Sequence, residues 1–276
     1  MSKDMFEQML SRYPMNSADD RRNATYEVMQ QVVLCGLYRG GFFSQAAFYG
    51  GTCLRIFHGL ERYSEDMDFT LLHKDVTFSL EKYFPSIVEE CRLLGREVTI
   101  TKKDKRNFGK VESAFLKDNT DVYNLSFTTE KSLKIKIEVD TMPPLRFDTE
   151  ERLLLQPFSF MTRCMTLPNL FAGKMHVLVF RGWQNRVKGR DWYDFEWYVR
   201  NGIPLNFDHL QVRIKEFNGL DVDKDKFLEM LKARLSSADI QQAKADVLPF
   251  IKNPRELDIW SNDYFLRLAD IIKYQS

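Results

Sequence analysis

Strict alternation of apolar and charged positions is the clearest pattern in the chain, and it occupies residues 133–140. The apolar positions are Leu133, Ile135, Ile137 and Val139, and the charged ones are Lys134, Lys136, Glu138 and Asp140. Because neighbouring side chains of a strand point to opposite faces, this alternation predicts a strand with one buried face. Runs rich in β-branched and aromatic residues predict further strands at 46–49, 67–72, 97–101, 111–116 and 123–128.

Apolar residues at helical spacing predict helices elsewhere in the chain. Ser17 and Asp20 form a capping pattern before a helix whose apolar positions extend to Leu37 and which ends near Gly40. Pro85 is expected within the first turns of a helix over 77–94. Further helices are predicted at 52–57, 168–180, 191–200, 206–217, 224–235, 237–248 and 254–273.

The order of these elements predicts an α+β protein with two lobes. Strands and helices are mixed up to about residue 145, whereas the chain after residue 165 is helical in pattern. We therefore expect an α/β lobe with a mixed sheet over residues 1–155, a helical lobe over residues 156–276 and a cleft between them.

Composition and charge narrow the class of protein. Of the 276 residues 44% are hydrophobic, which is enough for a sizeable core, and the net charge of +1 gives no overall signal for a polyanionic partner. The four cysteines are scattered without a CxxC pair, which argues against a zinc knuckle and a disulfide scaffold. No signal peptide and no apolar run of about 18 residues are evident, so we expect a cytoplasmic protein without a membrane span.

A glycine turn followed by two acids is the most informative chemical feature. Gly50, Gly51 and Thr52 open a short helix, and Asp66 and Asp68 follow at positions i and i+2 of a predicted strand. Glycines let the backbone approach a phosphate, and the two carboxylates would converge on one spot, where they repel each other unless a cation lies between them. We interpret the pair as a divalent-metal site; the alternative is an ordinary turn with two solvated acids.

Candidate partners for this pair occur further along the chain. Glu138 and Asp140 offer a third carboxylate on one strand face, unless that face is only a polar surface paired with lysines. Lys174 interrupts an otherwise apolar helix and suits a phosphate, or snorkels at the helix edge. Asp191 and Asp194 share a face at a helix start, where they bind Lys174 or a nucleotide, or simply complement the helix dipole.

The ordered set of motifs resembles a known family. Four motifs between Gly50 and Val199 together resemble the AbiEii/MenT-type nucleotidyltransferases. In chain order they are GGTCLR, RYSEDMDF, LFAGKMHVLVFR and KGRDWYDFEWYV. Members of that family look like DNA-polymerase-β-type nucleotidyltransferases, and many are toxins of bacterial toxin–antitoxin or abortive-infection systems. The resemblance therefore implies a polymerase-β-like α/β lobe followed by a helical lobe.

The resemblance also implies roles for individual residues. Asp66 and Asp68 match the metal-binding pair, Ser64 lies near the β- or γ-phosphate, and Lys174 contacts phosphates. The turn at Gly50, Gly51 and Thr52 is expected to bind the triphosphate. Asp191 and Asp194 are expected to contact the nucleotide, and Arg55 to stabilise charge. Both Glu138 and Asp140 remain open as the third carboxylate and metal ligand, and Glu138 is preferred because it lies deeper in its strand.

The function expected from the resemblance is Mg²⁺-dependent transfer of a nucleotide from an NTP to an acceptor. The implied acceptor is RNA, at the tRNA 3′ end, and the implied partner of this toxin is an antitoxin protein. Two alternatives remain: a nucleotidyltransferase that modifies a small molecule such as an antibiotic, and a nucleotide-binding module without turnover. Phosphorylation of Ser64 is a further hypothesis.

Overall fold

A computed structural model of the chain describes residues 4–103, 120–128, 133–181 and 187–275. Over these residues the chain forms helices and one seven-stranded mixed sheet, which confirms the α+β prediction. Contacts divide it into two compact units. The first comprises Met1–Gly59, Tyr63–Pro143 and Thr149–Cys164, and the second comprises Leu60–Arg62, Pro144–Asp148 and Met165–Ser276. The lobe boundary after residue 155 stays a prediction.

The sheet belongs to the first unit and follows the predicted alternation. Its strands are β1 (Ala46–Tyr49), β2 (Met67–Leu71), β3 (Val98–Lys102), β4 (Thr120–Phe127), β5 (Lys134–Asp140), β6 (Thr149–Leu154) and β7 (Phe160–Met165), in the order β3-β4-β5-β2-β1-β7-β6. β2 pairs with β5 in parallel and with β1 in antiparallel orientation. Ile135, Ile137 and Val139 are fully buried, as the alternation requires.

The described residues of the first unit also form four α-helices. They are α1 (Met5–Leu10), α2 (Ala18–Arg39), α3 (Gly50–His58) and α4 (Phe84–Leu93). The Ser17 side chain caps α2 by accepting a hydrogen bond from the Asp20 amide at 3.0 Å. This cap and the end of α2 before Gly40 agree with the prediction.

Phe69 shows how packing orients β2. Its buried ring contacts Phe42 edge-on at a centroid distance of 5.1 Å and Phe48 at 5.0 Å. Large aromatic rings contribute much of the apolar area that a core buries, so these contacts hold one face of β2 against the core. The opposite face of the strand is thereby left for polar residues.

The second unit is helical in its described residues. Its helices are α5 (Leu167–Phe180), α6 (Gly189–Arg200), α7 (Phe207–Asn218), α8 (Lys224–Ser237), α9 (Ile240–Val247) and α10 (Asn262–Asp270). α6 approaches α9 so closely at Gly189 that an added Cβ would lie 1.8 Å from the Ala243 carbonyl oxygen. Only glycine fits at this crossing, which places the start of α6.

Some predicted elements have the wrong bounds, and two observed strands were not predicted. The helix expected over 77–94 begins at Phe84, with Pro85 in its first turn, after a short 3₁₀ turn at Leu80–Tyr83. The helix expected over 254–273 is a 3₁₀ turn followed by α10, because Ser261 caps a new helix. Neither β6 nor β7 was predicted from the sequence. β6 is an edge strand without a fully buried face. The strand expected at 111–116 lies outside the described residues.

Candidate active site

Of the two acids of the DxD motif, Asp68 lies on the face of β2 opposite its apolar side chains, and Asp66 lies just before the strand. Met67 and Phe69 are fully buried, whereas Asp68 between them is only half-buried. Asp66 precedes the first residue of β2, and its side chain is 41% exposed. The alternation of the strand therefore directs the Asp68 carboxylate away from the apolar side.

Gly50 brings the start of α3 against the Asp68 carboxylate. Tyr49 of β1 is in register with Asp68 of β2, and Gly50 follows with a φ of 79°. A Cβ at this glycine would lie 2.2 Å from Asp68 Oδ2, so both the backbone conformation and the close approach require glycine. The carboxylate thus lies at the N-terminus of a nine-residue helix, where the helix dipole stabilises negative charge.

The loop that leads to the acids is held from two sides. The hydroxyl oxygens of Thr52 and Ser64 are 2.9 Å apart, and the Thr52 hydroxyl also donates to the Asp66 carbonyl. The buried Gln30 side-chain amide of α2 donates to the carbonyl oxygens of Ser64 and Glu65, both at 3.0 Å. No local sequence pattern pointed to Gln30, because its partners lie more than 30 residues away along the chain.

Glu138 and Asp140 occupy different positions relative to the acid pair. In the parallel ladder of β2 and β5, Glu138 is in register with Asp68, whereas Asp140 is in register with Thr70. Side chains in register on parallel strands share a face, so Glu138 lies beside Asp68. The Asp140 carboxylate instead accepts a hydrogen bond from the Met142 amide at 3.0 Å in the turn after β5.

Lys136 lies among these carboxylates. Its Nζ is 2.7 Å from Glu138 Oε1 and 3.5 Å from Asp66 Oδ2. Burial alone would lower the pKa of Lys136, but Glu138, Asp66 and Asp68 raise it above its ordinary value. We call Asp66, Asp68, Glu138 and Lys136 the acidic cluster.

The donor chemistry of the acidic cluster fits a magnesium ion. Carboxylate oxygens are the ligands that Mg²⁺ prefers, and three carboxylates with one ammonium leave an excess of negative charge. In the ranges that the structure describes, no three His, Cys, Asp or Glu side chains are grouped closely enough to hold a metal ion. The positive charge between Asp66 and Glu138 is that of the Lys136 ammonium.

Arg55, predicted as a charge stabiliser, is engaged with neighbouring side chains. Its Nε donates to Glu27 Oε2 of α2 at 2.8 Å, and its guanidinium lies 4.8 Å from the centre of the Tyr63 ring. Both members of the Arg55–Glu27 pair are mostly buried. These contacts join α3 to α2.

Lys174 and the two acids of α6 come together in the second unit. Lys174 Nζ lies 2.7 Å from Asp191 Oδ1 and 2.8 Å from Asp194 Oδ2. Asp191 and Asp194 are one helical turn apart, so both face α5. Asp194 is fully buried and Asp191 nearly so.

Arg62 completes this group and was not predicted. Its Nε and Nη2 donate to the two carboxylate oxygens of Asp194 at 2.6 and 2.7 Å, a bidentate arrangement. Arg62 is only 3% exposed, and Arg181 Nη1 lies 3.4 Å from Asp191 Oδ2. The sequence separation of 132 positions between Arg62 and Asp194 explains why no spacing pattern revealed the pair. We call Arg62, Lys174, Arg181, Asp191 and Asp194 the buried ion network.

The cations of this network keep its carboxylates ionised. Burial would raise the pKa of Asp194, but Arg62 and Lys174 hold it below its ordinary value. Burial likewise opposes ionisation of Asp191, whose pKa Lys174 and Arg181 lower. The network is therefore charged at neutral pH.

Comparison with known proteins identifies the family. A sequence model of the nucleotidyl transferase AbiEii toxin family, of type IV toxin–antitoxin systems, matches residues 32–268. The chain belongs to the AbiEii nucleotidyltransferase toxin family. The predicted family and the predicted enzyme class are thereby confirmed, and membership implies a nucleotide substrate and an antitoxin partner.

Solved structures share the fold of this AbiEii-family protein. MenT4, a nucleotidyltransferase toxin from Mycobacterium tuberculosis, matches with a TM-score of 0.58 at 14% identity over 95% of this chain and 92% of its own. JHP933 from Helicobacter pylori matches with a TM-score of 0.50 at 17% identity over 90% of each chain. No curated protein sequence matches at a significant level. Across the described ranges, none of the helices combines the length and apolar character needed to cross a membrane.

Proposed function

We propose that this AbiEii-family enzyme transfers a nucleoside monophosphate from an NTP to an acceptor hydroxyl, with Mg²⁺ held by the acidic cluster. The observation that carries the proposal is the register of Asp68 with Glu138 beside the N-terminus of α3. A helix start that stabilises anions, next to two carboxylates in register, suits the binding of phosphates and a divalent cation.

In this proposal the acids of the first unit hold the metal. Asp66, Asp68 and Glu138 are the ligands, and Glu138 is preferred over Asp140 because Asp140 is engaged in the turn after β5. When bound, Mg²⁺ offsets the negative charge that develops on the phosphate oxygens. The acceptor oxygen bonds to the α-phosphorus, the bond from that phosphorus to the β-phosphate oxygen breaks, pyrophosphate leaves, and the proton of the acceptor hydroxyl passes to water.

Other residues orient the phosphates or hold the groups that do. We assign the amides of Gly50 and Gly51 to the triphosphate, while Thr52 holds the loop of Ser64, whose hydroxyl lies near the phosphates. Arg55, which pairs with Glu27, stabilises negative charge on the phosphates.

The buried ion network has a different part in the proposal. Lys174 contributes positive charge toward the nucleotide, and Asp191 orients its ammonium. Asp194 has both oxygens paired and no exposed surface, so we assign it to positioning Lys174 rather than to the nucleotide itself.

The proposed acceptor is RNA at the tRNA 3′ end, and the proposed setting is the cytoplasm, where an antitoxin protein opposes the activity. Support comes from membership of the AbiEii toxin family. The chemistry of the acidic cluster is equally suited to any acceptor with a free hydroxyl, so the acceptor is decided by experiment.

Incubation with α-³²P-labelled NTPs, total RNA and a panel of small hydroxyl acceptors tests the proposal. We expect label on RNA, and we expect Asp66→Ala and Asp68→Ala each to abolish it because the metal loses a ligand. Asp270→Ala, which removes an exposed carboxylate from α10, serves as the control. Full transfer by Asp68→Ala would contradict the metal assignment. Label on a small acceptor alone would indicate an antibiotic-modifying enzyme, and nucleotide binding without pyrophosphate release would indicate a non-catalytic module.

A further inference from the structure

We infer that Lys136 is an internal counter-ion of the acidic cluster, a positioning residue that holds Asp66 and Glu138 together and that a divalent cation must displace. The inference rests on the proposed metal role of the cluster and goes beyond it. It assigns to Lys136 the control of metal affinity, a role that no motif of the sequence suggested.

The geometry of Lys136 carries this inference. Its ammonium contacts the neighbouring Glu138 of β5 at 2.7 Å and reaches Asp66, which precedes β2, at 3.5 Å. The side chain is 32% exposed, whereas Lys134, two residues earlier on the same strand face, is exposed. A lysine with a long flexible stem would extend into water unless the carboxylates held it.

The ammonium and a divalent cation compete for the same atoms. The Lys136 ammonium lies against Glu138 Oε1 and Asp66 Oδ2, and a metal ion held by both of these carboxylates would lie within a few ångströms of that ammonium. Two cations cannot share such short distances without strong repulsion. Lys136 must therefore leave the oxygens before the carboxylates bind a metal ion.

Charge balance explains why such a counter-ion is useful. Like-charged carboxylates repel one another, so Asp66 and Glu138 would move apart without a cation near both of them. Lys136 compensates one of the three charges and keeps Asp66 near Glu138. The remaining negative charge still attracts a divalent ion, which replaces a single positive charge with two.

Metal titration of the nucleotide-free protein tests this inference. Mn²⁺ binding is followed by electron paramagnetic resonance of the free ion, and Mg²⁺ binding by calorimetry, for wild type, Lys136→Gln, Lys136→Arg and Lys134→Gln. Removing the competing charge is expected to tighten metal binding by about tenfold in Lys136→Gln, because the divalent ion itself then draws Asp66 and Glu138 together. Lys136→Arg retains the charge and Lys134→Gln removes a charge from the same strand face, so both should keep wild-type affinity.

The outcomes separate this inference from the proposed function. Equal or weaker metal binding by Lys136→Gln, with clear binding by wild type, overturns the counter-ion role and leaves the metal role in place. A gain of similar size in Lys134→Gln overturns it as well, because the effect would then be one of general surface charge. Absence of metal binding in all four proteins overturns both this inference and the metal role of the cluster.

A second measurement uses only the wild-type protein and so does not depend on the folding of a variant. Lysines are methylated reductively with and without Mg²⁺, and modification at Lys136 and Lys134 is quantified by peptide mass spectrometry. We expect Mg²⁺ to increase methylation of Lys136 several-fold, because the amine is released from its carboxylate partners, and to leave Lys134 unchanged. Unchanged or reduced methylation of Lys136 under saturating Mg²⁺ overturns the inference.

Discussion

The acidic cluster and the buried ion network each bring a lysine between carboxylates, yet they differ in exposure and in charge balance. Lys136 and Asp66 are 32% and 41% exposed, whereas Lys174 is 16% exposed and Asp194 fully buried. The single ammonium of the cluster contacts the carboxylates of Glu138 and Asp66, and Asp68 adds a third negative charge. In the network, three cations and two carboxylates are linked by short contacts.

This difference separates a site that can exchange its cation from one that cannot. Water can solvate the partners of the cluster when Lys136 moves, so the arrangement tolerates replacement of the ammonium by a metal ion. A member lost from the network would leave an uncompensated charge in a buried place, which is costly. Residues of the cluster should therefore affect chemistry more than folding, and residues of the network should affect both.

The largest expected effect is on stability, from removal of the most buried carboxylate. Asp194→Ala leaves Arg62 and Lys174 without their shared partner, and we expect it to lower the free energy of unfolding by about 3–5 kcal/mol. Urea unfolding monitored by circular dichroism measures the change. Asp270→Ala, at an exposed carboxylate that pairs with Lys232, should cost less than about 1 kcal/mol. If both variants lose the same small amount, the network is not the structural element that we describe.

A smaller effect should appear in the pH dependence of stability, through Lys188 at the start of α6. Desolvation, together with Arg181, Arg190 and Lys174, lowers the pKa of Lys188 to about 8 against the attraction of Asp191. The ordinary value is 10.5, so between pH 8 and 10.5 the unfolded chain binds more protons than the folded one. Stability contributed by Lys188 therefore rises with pH across this window, by up to roughly 3 kcal/mol.

Comparison of two lysine variants separates the contribution of Lys188 to stability from that of other groups that titrate at alkaline pH. The difference in unfolding free energy between wild type and Lys188→Met should change between pH 7.5 and 10.5 in the direction given. The corresponding difference for Lys215→Met, at an exposed lysine of α7, should stay flat. A flat profile for Lys188→Met would mean that Lys188 is solvated in the folded protein.

The smallest expected stability effect belongs to the acidic cluster. Asp66→Asn removes one of three mutually repelling charges from a half-exposed site, so its free energy of unfolding should stay within about 1 kcal/mol of wild type. Nucleotide transfer by the same variant should be lost. Thermal unfolding in the absence of metal, measured together with transfer of labelled nucleotide, shows whether the two properties separate. A stability loss as large as that of Asp194→Ala would remove the contrast between the two regions.

Elements with strong local signals were predicted well. Ser17 caps α2 as expected, because a cap depends on residues only three positions apart. The alternation in β5 predicted its buried face correctly, because one side of the strand packs against the core. β6 has a burial pattern that alternates only between exposed and half-buried positions, so its edge location left no apolar signal in the sequence.

The candidate site was predictable to a similar extent. Asp66 and Asp68 could be paired from their spacing, and Lys174 could be associated with Asp191 as one alternative for the acids at the start of α6. Arg62 and Gln30 could not be assigned, because each acts on partners that are distant along the chain. The preference for Glu138 over Asp140 gained support only from the register of β5 against β2.

By itself the amino-acid sequence determined the family, the α+β class and the local groups of acids, because these depend on motifs and periodicities within short segments. Tertiary structure decided which cation lies beside which carboxylate. Lys136 was a charged position on a strand face until the pairing of β5 with β2 brought it between Asp66 and Glu138. Coulomb energy depends on distance in space and on burial, and only the folded chain sets these two quantities.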